Sequence, residues 1–357
     1  MARFAVLLCW VFALSMSLAA SARAAPVNWL YDVEVPVTDQ TAEVRGAAFK
    51  QALLVALKRM SGLGEVPMNP AIAAALESPQ RFYVEYRYRE EDNPVSGATP
   101  PKLLLLSVRF AENAIQKLIN DSGLPLWSSN RPTTLAWVVV AENGARTVLG
   151  ANDRTVLSNA LRSRARERGL PLVLPALDAD EKLEVSEAVV WAGMSPALEQ
   201  ASERYTPDQI LVGRVTHGAT WAGDWQLVEH ANAAHFTFDS PSVEAAAAAI
   251  VDRLVEQLVA RYAVSSGAQQ RLQIQVEGIG DVGQYGALMK YLAGLEFIDS
   301  VQVQQVRTNV VLLSLATRTP WDRLRDLLAL DGRLAPSEQV EAGTERRVLL
   351  WRGAAPK

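Results

Sequence analysis

Hydrophobic residues run almost unbroken over residues 4–20, and beyond that run the chain alternates short stretches of period two with longer stretches of period near 3.6. Tyr31, Val33 and Val35 alternate with Asp32 and Glu34, which predicts a half-buried strand. Near Thr41 the period changes. Val44, Ala48, Leu53, Leu57 and Met60 then share one broad helical face, with Glu43 in the first turn, Lys58 and Arg59 in the last, and Gly62 as the stop. Strands over residues 82–88 and 102–110, separated by the turn-rich residues 90–101, and a helix over residues 111–120 complete a βαββα module. Tyr86 and Tyr88 share one strand face, an arrangement more often used for packing than for recognition.

Residues 123–127 (Gly-Leu-Pro-Leu-Trp) and 130–132 (Asn-Arg-Pro) break the periodicity twice and read as a linker. The continuous apolar run over residues 135–140 predicts a strand buried on both faces, as in parallel or mixed α/β sheets. A helix over residues 154–167 follows, with Leu157, Leu161 and Ala165 on one face and Gly169 ending it. Its polar face carries Arg162, Arg164, Arg166 and Arg168, read as a solvated, carboxylate-paired face with anion binding as the alternative. An extended stretch over residues 170–175 delivers a loop bearing Asp178, Asp180 and Glu181, placed where α/β folds hold ligands. Short helices over residues 186–191 and 195–205 come next, the second with Ser195 as N-cap and Pro196 at the first helical position. Residues 208–216, 224–229 and 234–238 predict an antiparallel meander whose first connection is marked by Gly218 and Gly223. A long helix from Ser240-Pro241 to Tyr262 covers it.

The last stretch is the most regular. Leu272, Ile274 and Val276 alternate; Val282, Tyr285, Met289 and Leu292 take helical spacing; Ile298, Val301, Val303 and residues 310–315 form two strands. Thr319 as N-cap and Pro320 as first helical residue open a helix through Leu324, Leu327 and Leu328, and residues 347–351 supply a final strand. The order βαββαβ predicts a ferredoxin-like sandwich whose helices cover one sheet face and leave the other for a neighbour. The expected fold is therefore α+β or mixed α/β, with modules over residues 25–122, 123–265 and 270–352.

Arg3 before the apolar run and Ala22-Arg23-Ala24 after it mark a secretory leader over residues 1–24, cleaved before Ala25. The expected location is the periplasm; if the leader is retained, it tethers the protein at the inner membrane. Cleavage removes Cys9, the only cysteine, and with it any disulfide or thiolate metal site. Leu8 before that cysteine argues against a lipoprotein. The 35 basic and 39 acidic residues give a net charge of −4, and about −6 once Arg3 and Arg23 are lost, a sign opposed to an extended nucleic-acid surface. No later apolar stretch reaches the roughly 20 residues of a spanning helix.

Complete catalytic signatures are missing. There is no Gly-x-Ser-x-Gly elbow, no Gly-x-x-x-x-Gly-Lys phosphate loop and no His-Glu-x-x-His helix, and although Gly278, Gly280 and Gly283 follow a strand, a dinucleotide site is at odds with an exported protein. His217, His230 and His235 fall in the meander without the spacing of a zinc site. Asp178 and Asp180 lack the pattern of a calcium loop. No cofactor is expected. Trp221, Trp225 and Tyr205 line a groove or, more often for such residues, fill a core. By chemistry alone, Trp127, Arg131, Arg168, Asp178, Asp180, Trp191 and Tyr205 are the candidate binding residues, being anchor-type or charged side chains near module joins and element ends.

Val44-Arg45 with Ala48 and Ala52-Leu53, residues 123–127 followed by Arg131-Pro132, Arg168-Gly-Leu-Pro-Leu172 with Asp178 and Asp180, and Arg204-Tyr205 leading to Ile210-Leu-Val-Gly213 occur in that order. This order resembles an exported proteobacterial envelope family that carries only a domain-of-unknown-function label, across nearly all of the chain after the leader. More distantly, the second module resembles the amino-terminal domain of TolB, a likeness of fold that transfers no function. The resemblance implies an exported protein with no catalytic residues to carry over. The expectation is a periplasmic, non-catalytic binding or envelope-assembly accessory protein whose partner is an envelope protein or component, with a carboxylate-dependent hydrolase of an envelope polymer as the alternative.

Overall fold

The computed structural model describes residues 27–93, 99, 101–229, 232–264, 269–330, 332–337 and 347–353; the leader read over residues 1–24 and His230 lie outside them. The chain is a mixed α/β protein with three sheets.

The first sheet has the order β1 (Asp32–Val37), β3 (Lys102–Phe110), β2 (Tyr83–Asp92), antiparallel throughout. Helices α1 (Ala42–Ser61), α2 (Pro70–Glu77) and α3 (Glu112–Asp121) accompany it. Thr41 caps α1 through its side chain and Gly62 ends it at φ 68°. The two periods bury what they predict: Val33 and Val35 pack with Ala48, Leu53, Leu57 and Met60 in one core. The opposite sheet face carries ion pairs of Arg89 with Glu34 and Glu91, and of Arg109 with Asp32 and Glu85. Helix α2 was not anticipated, although Asn69 caps it and Pro70 opens it, the signals of a helix start. Strand β2 also continues into the expected turn, because Glu90, Glu91 and Asp92 pair with Leu104, Leu103 and Lys102.

The second sheet has the order β5 (Ala145–Val148), β4 (Thr134–Glu142), β7 (Gln209–His217), β8 (Trp221–Glu229), β9 (Asn232–Ser240), and the two-residue strand β6 (Leu172–Val173) joins the free edge of β4. Strands β4 and β7 are parallel and β7 to β9 form the expected meander. Strand β5 is an addition. Asn143 at φ 51° and Gly144 at φ 78° make the two-residue hairpin turn that Asn-Gly favours. Gly223 lies inside β8 opposite Val215 rather than in the connection; a Cβ there would stand 2.2 Å from the Arg214 carbonyl oxygen, so the glycine permits a close strand approach. One face of this sheet is covered by α4 (Val156–Arg168) and the long α8 (Val243–Tyr262), which Ser242 caps in place of the expected Ser240. The other face packs under α5 (Ala179–Glu184), α6 (Glu187–Ala192) and α7 (Pro196–Glu203), which bury Val185, Val190 and Leu198 against Leu135, Trp137 and Val212.

The third sheet is assembled from β10 (Gln270–Glu277), β11 (Ile298–Arg307), β12 (Val310–Thr317), β13 (Leu334–Pro336) and β14 (Arg347–Trp351), in the order β11-β12-β10-β14-β13. Helices α9 (Val282–Ala293) and α10 (Trp321–Ala329) supply Leu288, Leu292, Leu324, Leu327 and Leu328 to a core that is continuous with that of the second module. The sequence did not suggest β13. Its hairpin with β14 sets the last strand parallel to β10. The N-cap of α10 is Pro320, one residue later than expected; the Thr317 hydroxyl donates to the Phe297 carbonyl and accepts from the Thr319 amide, which turns Thr319 into the core. No helix among the described residues is long and apolar enough to cross a membrane.

Candidate functional site

Trp127, Arg131 and Arg168 come together, but inside the protein. The segment read as a linker is buried where the first module meets the second: Trp127 and Arg131 are 0% exposed and Arg168 1%. The Arg131 guanidinium donates to the carbonyls of Ser128 (2.8 Å), Gly169 (2.7 Å), Arg59 (2.8 Å) and Trp127 (2.7 Å), and lies 3.8 Å from the centre of the Trp127 ring. Arg59 reaches the other way, donating to the carbonyls of Arg166 and Asp32, both at 2.8 Å. Helices α1 and α4 thus end against each other, and the carbonyls at their negative ends are met by positive charge. Burial pulls the Arg131 guanidinium down to about 9 and, with the nearby Arg166, that of Arg59 to about 10, so both stay protonated at neutral pH.

Arg168 completes the junction. It donates to Asp252 of α8 at 2.7 Å and to the Gly62 carbonyl at 2.9 Å, while Arg164 holds the same Asp252 through two contacts of 3.0 and 2.6 Å. The arginine run is therefore only partly the solvated face expected of it, and its last member ties three helices together. Arg59 escaped the sequence reading because a basic residue in a last helical turn is ordinary. Its position on the face shared by Ala52, Ala56 and Met60 was the available signal.

Asp178 and Tyr205 form a second group. Asp178 is not in an irregular loop: its carboxylate caps α5 by accepting from the Glu181 amide at 3.0 Å. Glu181 accepts from the Tyr205 hydroxyl at 2.7 Å and from the Leu177 amide at 2.6 Å, and the Tyr205 oxygen also accepts from the Ala176 amide at 2.7 Å. Asp-x-x-Glu was a capping-box signal, overlooked in favour of ligand chemistry. Arg204, 2.7 Å from Asp178, together with the cap amide holds that carboxyl below the usual carboxylate range. Asp180 is exposed on the first turn of α5, and Trp191 stands apart, under the Arg146 guanidinium at 4.0 Å. Among the histidines, His217 contacts Glu142 and stacks on Trp221 at 3.9 Å, while His235 pairs with Gln226 in the strand ladder. Trp225 is fully buried over Gly213. No group of three or more His, Cys, Asp or Glu side chains placed to hold a metal occurs among the described residues.

A broad opening lies between the first and third modules, in a place that no sequence feature marked. It is a cleft of about 790 Å3 with walls from α3, residues 128–130 and α9. Glu296 forms its latch, accepting from the Tyr31 hydroxyl at 2.9 Å and the Ser129 amide at 2.6 Å, and Gln116 donates to the Tyr31 oxygen at 3.2 Å. Burial and the Glu296 carboxylate push the Tyr31 hydroxyl well above the usual phenol range. Asn130, 6% exposed, lines the cleft, and neither of its amide atoms has a hydrogen-bond partner among the described residues; the Ser128 hydroxyl is in the same state. Such groups are uncommon in native interiors and mark places where a further donor and acceptor fit.

Fold and surface together define a multi-module mixed α/β protein with an inter-module cleft. Residues 24–128 match the family model of a domain of unknown function, DUF8605. That match spans the first module and the segment leading out of it, a smaller part of the chain than the order of motifs suggested. No curated protein matches the chain.

Proposed function

We propose that the protein is an exported, non-catalytic binding or envelope-assembly accessory protein, and that it presents the cleft between its first and third modules to an envelope protein or component. The observation that carries this reading is the pairing of a fixed junction with an open, polar cleft. The buried arginines are occupied with backbone carbonyls and Asp252, which gives them a scaffolding role, while Asn130 and Ser128 keep buried polar atoms unpaired just behind the cleft wall. Pre-organised clefts between modules are a common setting for ligand and partner sites. The periplasmic location and the proteobacterial envelope resemblance belong to the same proposal, as does the likeness of the second module to the TolB amino-terminal domain. We read the third module as a ferredoxin-like βαββαβ unit elaborated by the β13–β14 hairpin. The hydrolase alternative asks for a carboxyl able to carry a proton near neutral pH, and Asp178 is held in the opposite sense.

Site-specific photo-crosslinking in intact envelopes tests the reading. Photoreactive residues at Asn113 and Lys290, exposed positions on the cleft walls, are expected to give one discrete product that the same residue at the exposed Leu183 of α5 does not give. No product, or the same products from all three positions, overturns it.

A further inference from the structure

The third module buries one face of its sheet and leaves the other without helices. On β10 the buried face carries Leu272, Ile274 and Val276, and the open face carries Arg271, Gln273, Gln275 and Glu277. Across the sheet, Gln275 pairs with Leu312 of β12, which pairs with Gln305 of β11; one step along, Val310 pairs with Arg307. These side chains line a groove of about 630 Å3 that reaches past the start of β14 to Arg347.

Its charge is one-sided. Arg271 and Arg307 supply its cations, and no acidic residue lines it. Neither Arg271 nor Arg307 takes part in an ion pair among the described residues, and Arg307 donates to Gln305 at 3.2 Å; Arg347, in register with the buried Ile274, turns its guanidinium to the other face, over the Trp321 ring of α10. Strands β12 and β14 contain no acidic residue at all, and the single acid of β10, Glu277, is its last residue and accepts from Gln275 at 2.9 Å. The first module differs, for there Arg89 and Arg109 on the outer sheet face meet carboxylates on the same and neighbouring strands. In a chain of net charge −4, a groove lined by two unpaired arginines, with the Glu277 carboxylate held by Gln275 at its margin, is a segregated feature.

We propose that this open sheet face binds an extended acidic peptide segment of a partner protein. Three features of the lining select that chemistry. Guanidinium forks grip carboxylates through two parallel hydrogen bonds. Glutamine amides offer a donor and an acceptor together, as a peptide backbone requires. Val310 and Leu312 add an apolar strip to the floor for an intervening aliphatic side chain. No aromatic residue lines the groove, so the stacking surface that a sugar ring uses is missing. The inference rests on the binding reading above, but it uses a different surface, so the cleft and the groove stand or fall separately.

Fluorescence anisotropy of the purified protein with a labelled octapeptide of alternating Glu and Leu tests it, with a Gln-Leu octapeptide and an oligogalacturonate as competing probes. The acidic peptide is expected to bind and the uncharged one not, with affinity falling as salt is raised. The double replacement of the exposed Arg271→Gln and Arg307→Gln is expected to weaken binding about tenfold, and Gln273→Ala with Gln275→Ala is expected to weaken it further without changing the salt dependence. Binding that the double arginine variant leaves unchanged, or oligogalacturonate binding more tightly than the peptide, overturns the proposal. Crosslinking at Asn113 and Lys290 is unaffected by either result, so loss of peptide binding does not count against the cleft.

Discussion

Replacing Arg131 with methionine should loosen the junction between the first two modules more than any single change at the protein surface. The side chain is wholly buried and makes four hydrogen bonds of 2.7 to 2.8 Å to carbonyls of Ser128, Gly169, Arg59 and Trp127. Hydrogen bonds from a charged donor contribute roughly 1.5–3 kcal/mol each, a gross loss of about 6–12 kcal/mol. Against this stands the relief of a buried guanidinium, whose effective desolvation costs several kcal/mol. The balance is a destabilisation of about 3–5 kcal/mol, comparable with breaking a buried ion pair from one side. For a chain of this length that is about 6–10 °C in Tm, at roughly 2 °C per kcal/mol. Arg131→Lys should lose nearly as much, because a single ammonium cannot reach carbonyls placed around a planar fork. Arg253→Met, at an exposed ion pair with Glu256 of 4.0 Å, serves as control and should change stability by about 0.5 kcal/mol or less. Thermal and urea unfolding followed by circular dichroism measure all three. An Arg131→Met protein within about 1 kcal/mol of the parent refutes the account of the junction.

Gly62→Ala should cost about 2–4 kcal/mol, since the residue sits at φ 68° and a Cβ would stand 2.1 Å from Val259 Cγ2; a urea midpoint equal to the parent's contradicts this. Tyr31→Phe removes the hydroxyl that donates to Glu296 and should cost about 1–2 kcal/mol. Because folding raises the Tyr31 pKa, the hydroxyl's contribution is complete below about pH 10 and fades above it, so parent and Tyr31→Phe proteins should converge in stability only in alkali. Asp178 behaves in the opposite sense: its pKa is lowered, so its contribution is present above about pH 4 and is lost as pH falls through the depressed value. Asp178→Asn should flatten the acid limb of the stability profile, and an unchanged limb would show that the Arg204 contact is not formed in solution.

Local structure was legible in the sequence wherever one period ran long enough. The alternation of Tyr31, Val33 and Val35, the helix from Thr41 to Gly62, and Ser195-Pro196 as a helix start all lie where the pattern puts them. Two short signals were present and passed over: Asn143-Gly144 for a hairpin and Asp178-x-x-Glu181 for a capping box. What the pattern could not carry was the use made of charge. Glycine and proline in residues 123–132 read as a linker, because the carbonyls that take up Arg131 come from residues as distant as Arg59 and Gly169. The same limit hides the cleft. Tyr31 and Glu296 are 265 residues apart, and neither belongs to a motif. The third module's extra strand pairing also depends on a return of the chain that periodicity does not encode.

The most direct test of the account is the affinity of the protein captured at Asn113 and Lys290 for a variant with a filled cleft. Ala287 is exposed on α9 and lines the cleft without belonging to the core, so Ala287→Trp occupies the opening and leaves the fold intact. The account predicts binding weakened at least about tenfold, equivalent to about 1.4 kcal/mol, with the thermal midpoint within about 2 °C of the parent. Unchanged affinity in a folded Ala287→Trp protein would contradict it.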